Sequence, residues 1–549
     1  MLNDISFCFC AVPCFSRKGG RISTSYGMSG DNRNQDCIFF VQLFHPCVDS
    51  ALLPPSSRAR RGGDQSMIRP DPALEDSTPI LPEDDDGYHK GLGARQIQMI
   101  AVGGAIGTGL FLGAGSRLQA AGPSLALVYL VCGIFSFLIM RALGELVMHR
   151  PTCGSFVSYA REFLGEKAAF IAGWLSFMNW AMTGIVDITA VAMYMHFWGT
   201  FAAVPQWAFA LMALCIVTTL NMVGVRWFGE IEFWFSLIKI VALCLFLIIG
   251  SIILGVRMPV DGHATGLHLI ADNGGIFPHG LVASLLLVQG VVFAYSGIEL
   301  IGTAAGECAD VRTVLPRSIN SVIWRIGLFY VLSVILLVNL LPWTAYHGGT
   351  SPFVTFFEAL GVPGVDTIMN IVVLTAALSS LNSGLYSTGR VLRAMAMGGA
   401  APQSLARLNA SSVPANGIWL TVAVYLVGVV LNYIVPSQVF EIVLNMAAIG
   451  IISTWAFIVL SQMKLRQAVR SGRIASAGFE MPGAPFTSWL TLGYLGSVLV
   501  LMLFDYPNGT CTLATMPVVA IILMLGWKYM NTTRSTPDTT AERPQCPTP

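Results

Sequence analysis

Charged residues are scarce in this sequence: they make up 11% of its 549 residues, whereas hydrophobic residues make up 54%. A typical soluble domain carries about 25% charged residues. This deficit argues against a soluble protein and indicates a chain that crosses a membrane several times. The formal net charge is only +1 and no basic tract stands out, so nothing in the sequence indicates nucleic-acid binding.

The sequence also lacks the motifs of metal sites and of soluble catalytic sites. Neither its 8 histidines nor its 12 cysteines show the spacing of metal ligands. No P-loop and no Ser-His-Asp order occurs where a soluble active site would form. We therefore expect a protein that is not an enzyme and that uses no metal and no cofactor.

Residues 1–88 and 532–549 are polar and show no hydrophobic periodicity. Such segments have little to bury, so we expect both to be disordered tails. Between them, residues 89–531 hold twelve apolar stretches, each long enough to cross a bilayer as a helix of about 20 residues. The stretches lie at about 97–116, 123–147, 169–197, 206–224, 228–254, 283–305, 325–344, 366–390, 416–435, 439–461, 488–505 and 512–530.

Arginine and lysine residues are distributed unevenly among the connections between these stretches. One side holds most of them, among them Arg150, Arg161 and Arg393, whereas the other side holds Arg117 and Arg257 and little else. Loops rich in arginine and lysine face the cytoplasm. We therefore predict that both termini are cytoplasmic, in agreement with an even number of crossings.

Glycines interrupt the first apolar stretch. Gly103, Gly104, Gly107 and Gly109 lie at its centre, and each glycine costs a helix interior roughly 1 kcal/mol relative to alanine. Two interpretations are open: close helix packing through G-x-x-x-G, or a broken helix whose freed backbone groups bind a ligand. A dinucleotide fingerprint is excluded, because Leu112 stands where its third glycine is needed.

The sixth stretch repeats this feature. It carries Gly290, Gly297 and Gly302, together with the carboxylate of Glu299. The two interrupted stretches are five apart, an odd number, so a duplicated unit would be inserted upside down the second time. Broken helices at matching positions of inverted halves are typical of a transporter site near the membrane midplane. The pair therefore favours a broken-helix site over packing alone.

Four segments agree in order and spacing with a known pattern: GGAIGTGLFLGAG, ALGELVMHRPTCGSFVSYAREFLGEKAAFIAGW, FAYSGIELIGTAAGE and SSLNSGLYSTGRVLRAMA. They resemble the amino-acid transporter family of bacterial permeases, within the amino acid–polyamine–organocation superfamily. The resemblance covers residues 88–530. It implies an all-α polytopic membrane protein with 12 transmembrane helices, built as a 5+5 inverted repeat with broken helices 1 and 6 plus two extra helices.

Within that family, further segments look most like those of members that carry L-asparagine: YHKGLGARQIQMIAVGG, NWAMTGIVDITAVAMYMHFW, NGGIFPHG, MPGAPFTSWLTLGYL and LMLFDYPNGT. The resemblance implies proton-coupled import of an amino acid across the bacterial plasma membrane, with the amino acid, the proton and the lipid bilayer as partners. Alternatives are import of aspartate or of a small neutral amino acid (glycine, D-serine or D-alanine), and a non-transporting amino-acid sensor.

A zwitterion in a membrane needs separate partners for its carboxylate and its ammonium group, because neither charge is left unpaired there cheaply. The first break supplies donors for the carboxylate, namely the backbone amides around Ile106, Gly107, Thr108 and Gly109 and the Thr108 hydroxyl, and the resemblance supports this assignment. The sixth stretch supplies backbone carbonyls for the ammonium group, which we expect near Phe293, Ala294, Tyr295 and Ser296.

Lys239 lies near the middle of the fifth stretch, about a dozen residues from either end, so that snorkelling to an interface is awkward. Burial disfavours the charged form of a lysine, and the resemblance implies a proton-coupling role for this residue. Glu299 costs about 3 kcal/mol at a helix centre. It either carries a proton or neutralises the ammonium region, or it forms a structural hydrogen bond to the unwound backbone. Glu307 is either a gate-pairing charge or a solvated one.

Asn179, Thr183 and Asp187 are spaced i, i+4, i+8 and form one polar stripe on the third stretch. The stripe either lines the side-chain pocket or joins helices through hydrogen bonds worth around 0.6 kcal/mol each in membranes. The serine cluster Ser379–Ser383 in the eighth stretch has the same two interpretations.

Overall fold

The computed structural model describes residues 94–104, 106–152, 155–307, 311–436 and 439–535. Within these ranges the regular secondary structure is helical, with irregular connections between the helices, and no β-strand forms. The predicted N-terminal tail, residues 1–88, lies outside the described residues, as do residues 536–549 of the predicted C-terminal tail.

Ten helices make up the first half of the described chain. In order they are α1 (Ala94–Gly103), α2 (Thr108–Phe111), α3 (Gly113–Ala121), α4 (Leu125–His149), α5 (Ser155–Leu164), α6 (Glu166–Met195), α7 (Gln206–Val223), α8 (Val225–Val256), α9 (His268–Asp272) and α10 (Gly280–Leu286).

Eleven helices follow, and a π-helical segment, Ile326–Leu332, joins two of them. They are α11 (Val288–Ala294), α12 (Leu300–Ala305), α13 (Val311–Arg325), α14 (Ser333–Leu340), α15 (Pro352–Ala359), α16 (Val365–Met397), α17 (Ala415–Ile434), α18 (Val439–Arg470), α19 (Phe486–Met502), α20 (Asn508–Ala514) and α21 (Met516–Ser535).

Nine helical segments of the described chain are long and apolar enough to cross a membrane. This confirms a polytopic, all-helical membrane protein. The nine are Gly113–His149, Glu166–Met195, Gln206–Val223, Val225–Val256, Val311–Leu340, Val365–Met397, Ala415–Ile434, Val439–Arg470 and Asn508–Thr532. Helices also lie at the other three predicted stretches, where they are either broken or shorter.

The first and the sixth stretch are both broken where the glycines predict. Helix α1 ends at Gly103 and α2 begins at Thr108, while α11 ends at Ala294 and α12 begins at Leu300. The second break contains Gly297, whose φ of +91° is a left-handed conformation that favours glycine. A Cβ atom on Gly297 would lie 2.5 Å from the carbonyl oxygen of Gly104, so the two breaks lie against each other.

The glycines of the first stretch also allow a neighbouring helix to pack closely. A Cβ atom on Gly109 would lie 2.5 Å from the Cα atom of Ala294, which places α2 directly against the end of α11. The two interpretations of the first stretch are therefore not exclusive: the same glycine run breaks the helix and lets a neighbouring backbone approach.

Helix α6 runs through the middle of the bundle and packs along both α16 and α18. The contact with α18 depends on Gly450, because a Cβ atom there would lie 2.8 Å from the Cα atom of Asn179. On the α17 side, the Tyr425 hydroxyl donates a hydrogen bond of 3.0 Å to the carbonyl oxygen of Trp180. Helix α6 is thus fixed on several sides, and its polar stripe is held in one orientation.

Replacing Gly450 by alanine is expected to lower the thermal unfolding midpoint of the purified protein. The added methyl group has no room against the Asn179 backbone, and overpacking of this kind costs about 1–3 kcal/mol. The matched control is Gly493→Ala on α19, where a Cβ atom meets nothing within 4 Å. That variant should be neutral or stabilised, since alanine favours a helix by about 1 kcal/mol over glycine. Equal midpoints for the two variants would contradict the close approach.

Candidate functional site

The ammonium group of Lys239 is bound to the first break. It donates hydrogen bonds to the carbonyl oxygens of Gly103, at 2.7 Å, and Ile106, at 3.0 Å. Gly103 is the last residue of α1, where the helical hydrogen-bond pattern stops and a cation is favoured, and Ile106 lies within the break. Lys239 is only 1% exposed, so α8 carries a buried cation that takes the place of the missing helical hydrogen bonds.

A third hydrogen bond connects Lys239 to a carboxylate that the sequence reasoning missed. Its ammonium group donates to the Ser379 hydroxyl at 2.9 Å, and that hydroxyl donates to Glu232 at 2.6 Å. Ser236 also donates to Glu232, at 3.3 Å. Glu232 is fully buried and precedes Lys239 by seven residues, which places both on one face of α8. This seven-residue spacing is the feature of the sequence that could have identified Glu232 as a neighbour of Lys239.

Thr108 reaches the polar stripe of α6. Its hydroxyl donates a hydrogen bond of 2.8 Å to the carboxylate of Asp187, which is fully buried. The hydroxyl that the sequence offers to a substrate carboxylate is thus engaged within the protein. The Thr108 and Gly109 amides remain the first of α2, and such amides have no partner inside their own helix.

Ile106 and Gly107, the other residues of the first break that were predicted to bind substrate, differ in whether their backbone amides already have a partner. The amide of Ile106 donates to the carbonyl oxygen of Gly103 at 3.1 Å, so it already has a partner. Gly107 is the residue before α2, with an extended backbone that any residue adopts. Of the four backbone amides predicted to bind the substrate carboxylate, those of Gly107, Thr108 and Gly109 therefore stay as candidates.

At the sixth stretch, two of the predicted carbonyls already accept hydrogen bonds. The Phe293 carbonyl accepts from the Ser296 amide at 2.9 Å, and the Ala294 carbonyl accepts from the Tyr330 hydroxyl at 3.2 Å. The Tyr295 side chain donates to the carbonyl oxygen of Tyr129 at 2.8 Å. The buried hydroxyl oxygen of Ser296 has no hydrogen-bond partner within the described chain.

Glu299 is the last residue of this break, directly before α12, and is almost completely buried. Its carboxylate accepts hydrogen bonds from Asn179, at 3.5 Å, and from the indole of Trp455, at 3.4 Å. Thr183 donates to Asn179 at 3.3 Å. The stripe on α6 therefore reaches both breaks, through Asp187 at the first and through Asn179 at the second.

Glu307 forms a buried ion pair with Arg390 of α16. The guanidinium of Arg390 also lies over the ring of Tyr386, 3.5 Å from its centroid, and that ring stacks on Phe228. Glu307 is therefore a paired charge and not a solvated one. The pair joins the end of the sixth stretch to α16.

The family model for amino acid permeases matches residues 96–537 of this chain. The chain belongs to the amino acid permease family. This membership confirms the family resemblance of the glycine-rich segments, and together with the apolar helices it identifies a multi-pass membrane protein.

Several characterised permeases are similar over most of their length. A protein of Escherichia coli K12 named L-asparagine permease is 68% identical over 443 residues, which cover 81% of this chain and 89% of that protein. L-asparagine permease 2 of Mycobacterium tuberculosis is 55% identical over 456 residues, with coverage of 83% and 94%. L-asparagine permease of Streptomyces coelicolor is 52% identical over 453 residues, with coverage of 82% and 93%.

Substituting Gly297 by alanine is expected to reduce amino-acid uptake by about tenfold or more at unchanged protein level in the membrane. The methyl group would strain a left-handed residue and push the two breaks apart, at a cost of about 1–3 kcal/mol. Uptake of radiolabelled amino acid by expressing cells measures the loss. The control is Gly280→Ala, which has a φ of +80° but nothing within 4 Å of its Cβ position. If both variants lose uptake equally, backbone strain rather than contact between the breaks is responsible.

Proposed function

We propose that this protein imports L-asparagine across the plasma membrane by proton symport. The assignment of the substrate rests on the 68% identity, over 443 residues, to the Escherichia coli L-asparagine permease. Relatives from two further genera bear the same name at 52–55% identity. The observation that favours coupling to protons is the buried Lys239, bound to the backbone of the first break.

The proposed architecture is a permease domain over residues 89–531 with 12 transmembrane helices, in a 5+5 inverted repeat followed by two extra helices. Its support is the helix at each of the twelve predicted positions and the pair of breaks five stretches apart. The arginine-rich connections support cytoplasmic termini. The inverted repeat places both breaks at the same depth, where a substrate can contact both.

We assign the substrate carboxylate to the amides of Gly107, Thr108 and Gly109 at the start of α2. The ammonium group binds the free carbonyls of the second break, around Tyr295 and Ser296, with the Ser296 hydroxyl beside them. Asn179 and Thr183 lie between the two breaks and offer an amide and a hydroxyl to a carboxamide side chain. Opposite charges of the substrate are in this way bound by opposite ends of broken helices.

Coupling follows from what Lys239 contacts. As an ammonium group it donates to Gly103, Ile106 and Ser379, and as a neutral amine it has one donor fewer. Loss of its proton therefore loosens the end of α1, directly before the amides assigned to the substrate carboxylate. Glu232 exchanges a proton with Lys239 through the Ser379 hydroxyl, which contacts both. Glu299 sets the charge beside the second break.

Proteoliposomes with an inward proton gradient are expected to accumulate radiolabelled L-asparagine, and excess unlabelled aspartate, glycine, D-serine or D-alanine should compete less well than asparagine. Lys239→Met should abolish accumulation while binding persists, because it removes the titrating group and keeps the bulk of the side chain. Accumulation by Lys239→Met that still collapses with a protonophore would refute the coupling role. If aspartate competes better than asparagine, aspartate is the substrate. Binding without any uptake would indicate a sensor.

Glu232→Gln is expected to slow proton-driven asparagine uptake by about tenfold, because it removes the proton acceptor but keeps the hydrogen bond from Ser379. General acid–base groups contribute about 100-fold or more to proton transfer in enzymes, which bounds this estimate. The matched control is Glu230→Gln, two residues away, where the carboxylate pairs with exposed Arg95 at 2.8 Å. Rates are compared across external pH. An unchanged pH profile in Glu232→Gln would remove this residue from the proton path.

A further inference from the structure

A cavity of about 260 Å³ is lined by residues that lie outside the two breaks. It forms where α3, the junction of α10 and α11, the start of α18 and the connection between α19 and α20 meet. Its polar lining consists of Ser116, Arg117, Gln289, Glu441, Asn445, Asp505 and Asn508. None of the lining residues belongs to either break, so an amino acid bound here would have partners different from those assigned in the central site.

The cavity contains a buried guanidinium with little to pair with. Arg117 is 4% exposed and donates a hydrogen bond to the carbonyl oxygen of Gly113. No carboxylate among the described residues forms an ion pair with it. Gly290 makes room for this group, because a Cβ atom there would lie 2.7 Å from the guanidinium carbon. A buried charge without a counter-ion is costly, so the guanidinium is suited to an anionic ligand.

The lining of the cavity also carries hydrogen-bond acceptors. Glu441 accepts a hydrogen bond of 3.2 Å from Ser116, and Asp505 accepts one from the amide nitrogen of Gln289. The amide oxygen of Gln289 is buried and has no hydrogen-bond partner within the described chain. Two carboxylates and a free amide oxygen thus face the same small space as the guanidinium. The carboxylates supply negative charge and the amide oxygen supplies a free acceptor, and both suit an ammonium group.

We propose that this cavity binds a zwitterionic α-amino acid before it enters the central site. Its carboxylate binds Arg117, and its ammonium group binds Glu441 and Asp505 with the amide oxygen of Gln289. The volume lies just below the range of about 300–1,000 Å³ typical of drug-sized ligands, as a smaller ligand requires. The proposal rests on the proposed function: Arg117 lies on the side poor in basic residues, which is the outer face if the termini are cytoplasmic.

The test is equilibrium binding of radiolabelled L-asparagine to the full chain in lipid nanodiscs. The unmodified protein is expected to bind two molecules at saturation and Arg117→Gln only one. The matched control is Arg257→Gln, which removes the other cation of the same face, outside the cavity, and should still bind two. Asparagine uptake by Arg117→Gln should show a several-fold higher KM at similar maximal rate, since only loading of the cavity is impaired.

A second pair of variants covers the case in which Arg117→Gln folds poorly. Asp505→Asn should also lower the stoichiometry to one, whereas Asp261→Asn, at an exposed loop on the same face, should leave it at two. A single bound molecule that is retained in both cavity variants and lost in Gly297→Ala would overturn the cavity site and leave the proposed function intact. No asparagine binding by the unmodified protein would overturn both.

Discussion

The hydrogen bonds from the Lys239 ammonium group to the Gly103 and Ile106 carbonyls are the interaction on which the central site depends. Broken backbone inside a membrane leaves polar groups without partners, and a buried cation leaves a charge without solvent. Here each satisfies the other. Because Ser379 of α16 and Glu232 of α8 extend the same chain of hydrogen bonds, the break in the first stretch, the fifth stretch and the eighth are fixed to one another through a single nitrogen atom.

The polar stripe on α6 has a comparable role between the two breaks. Asp187 accepts from Thr108 at the first, and Asn179 donates to Glu299 at the end of the second. Any movement that separates the breaks must therefore exchange these hydrogen bonds for others. The stripe joins helices through hydrogen bonds, as one of its two interpretations predicts, and its contact with a substrate side chain stays a prediction.

Much of this arrangement was predictable from the sequence. Glycine runs located both breaks, and apolar length located the helices, because these properties depend on consecutive residues. Contacts between helices were less accessible. Glu232 lies close to the start of the fifth stretch, where a charge can reach water, and only the contacts of α8 with its neighbours show that it is buried. The partner of the Thr108 hydroxyl depends on which face of α6 meets α2, and Arg117 served only to orient the chain until its surroundings were known.

The depth of Lys239 has an electrical consequence. It lies near the middle of the 32-residue helix α8, so a proton that reaches it from outside crosses about half of the transmembrane voltage. Moving one elementary charge across the full voltage is worth about 2.3 kcal/mol per 100 mV. At 100 mV, half of that is about 1.2 kcal/mol, which changes proton occupancy about sevenfold at equal pH on both sides. In the proposed symport with a neutral zwitterion as cargo, each cycle would be electrogenic, and an energised cell would load the carrier even without acid outside.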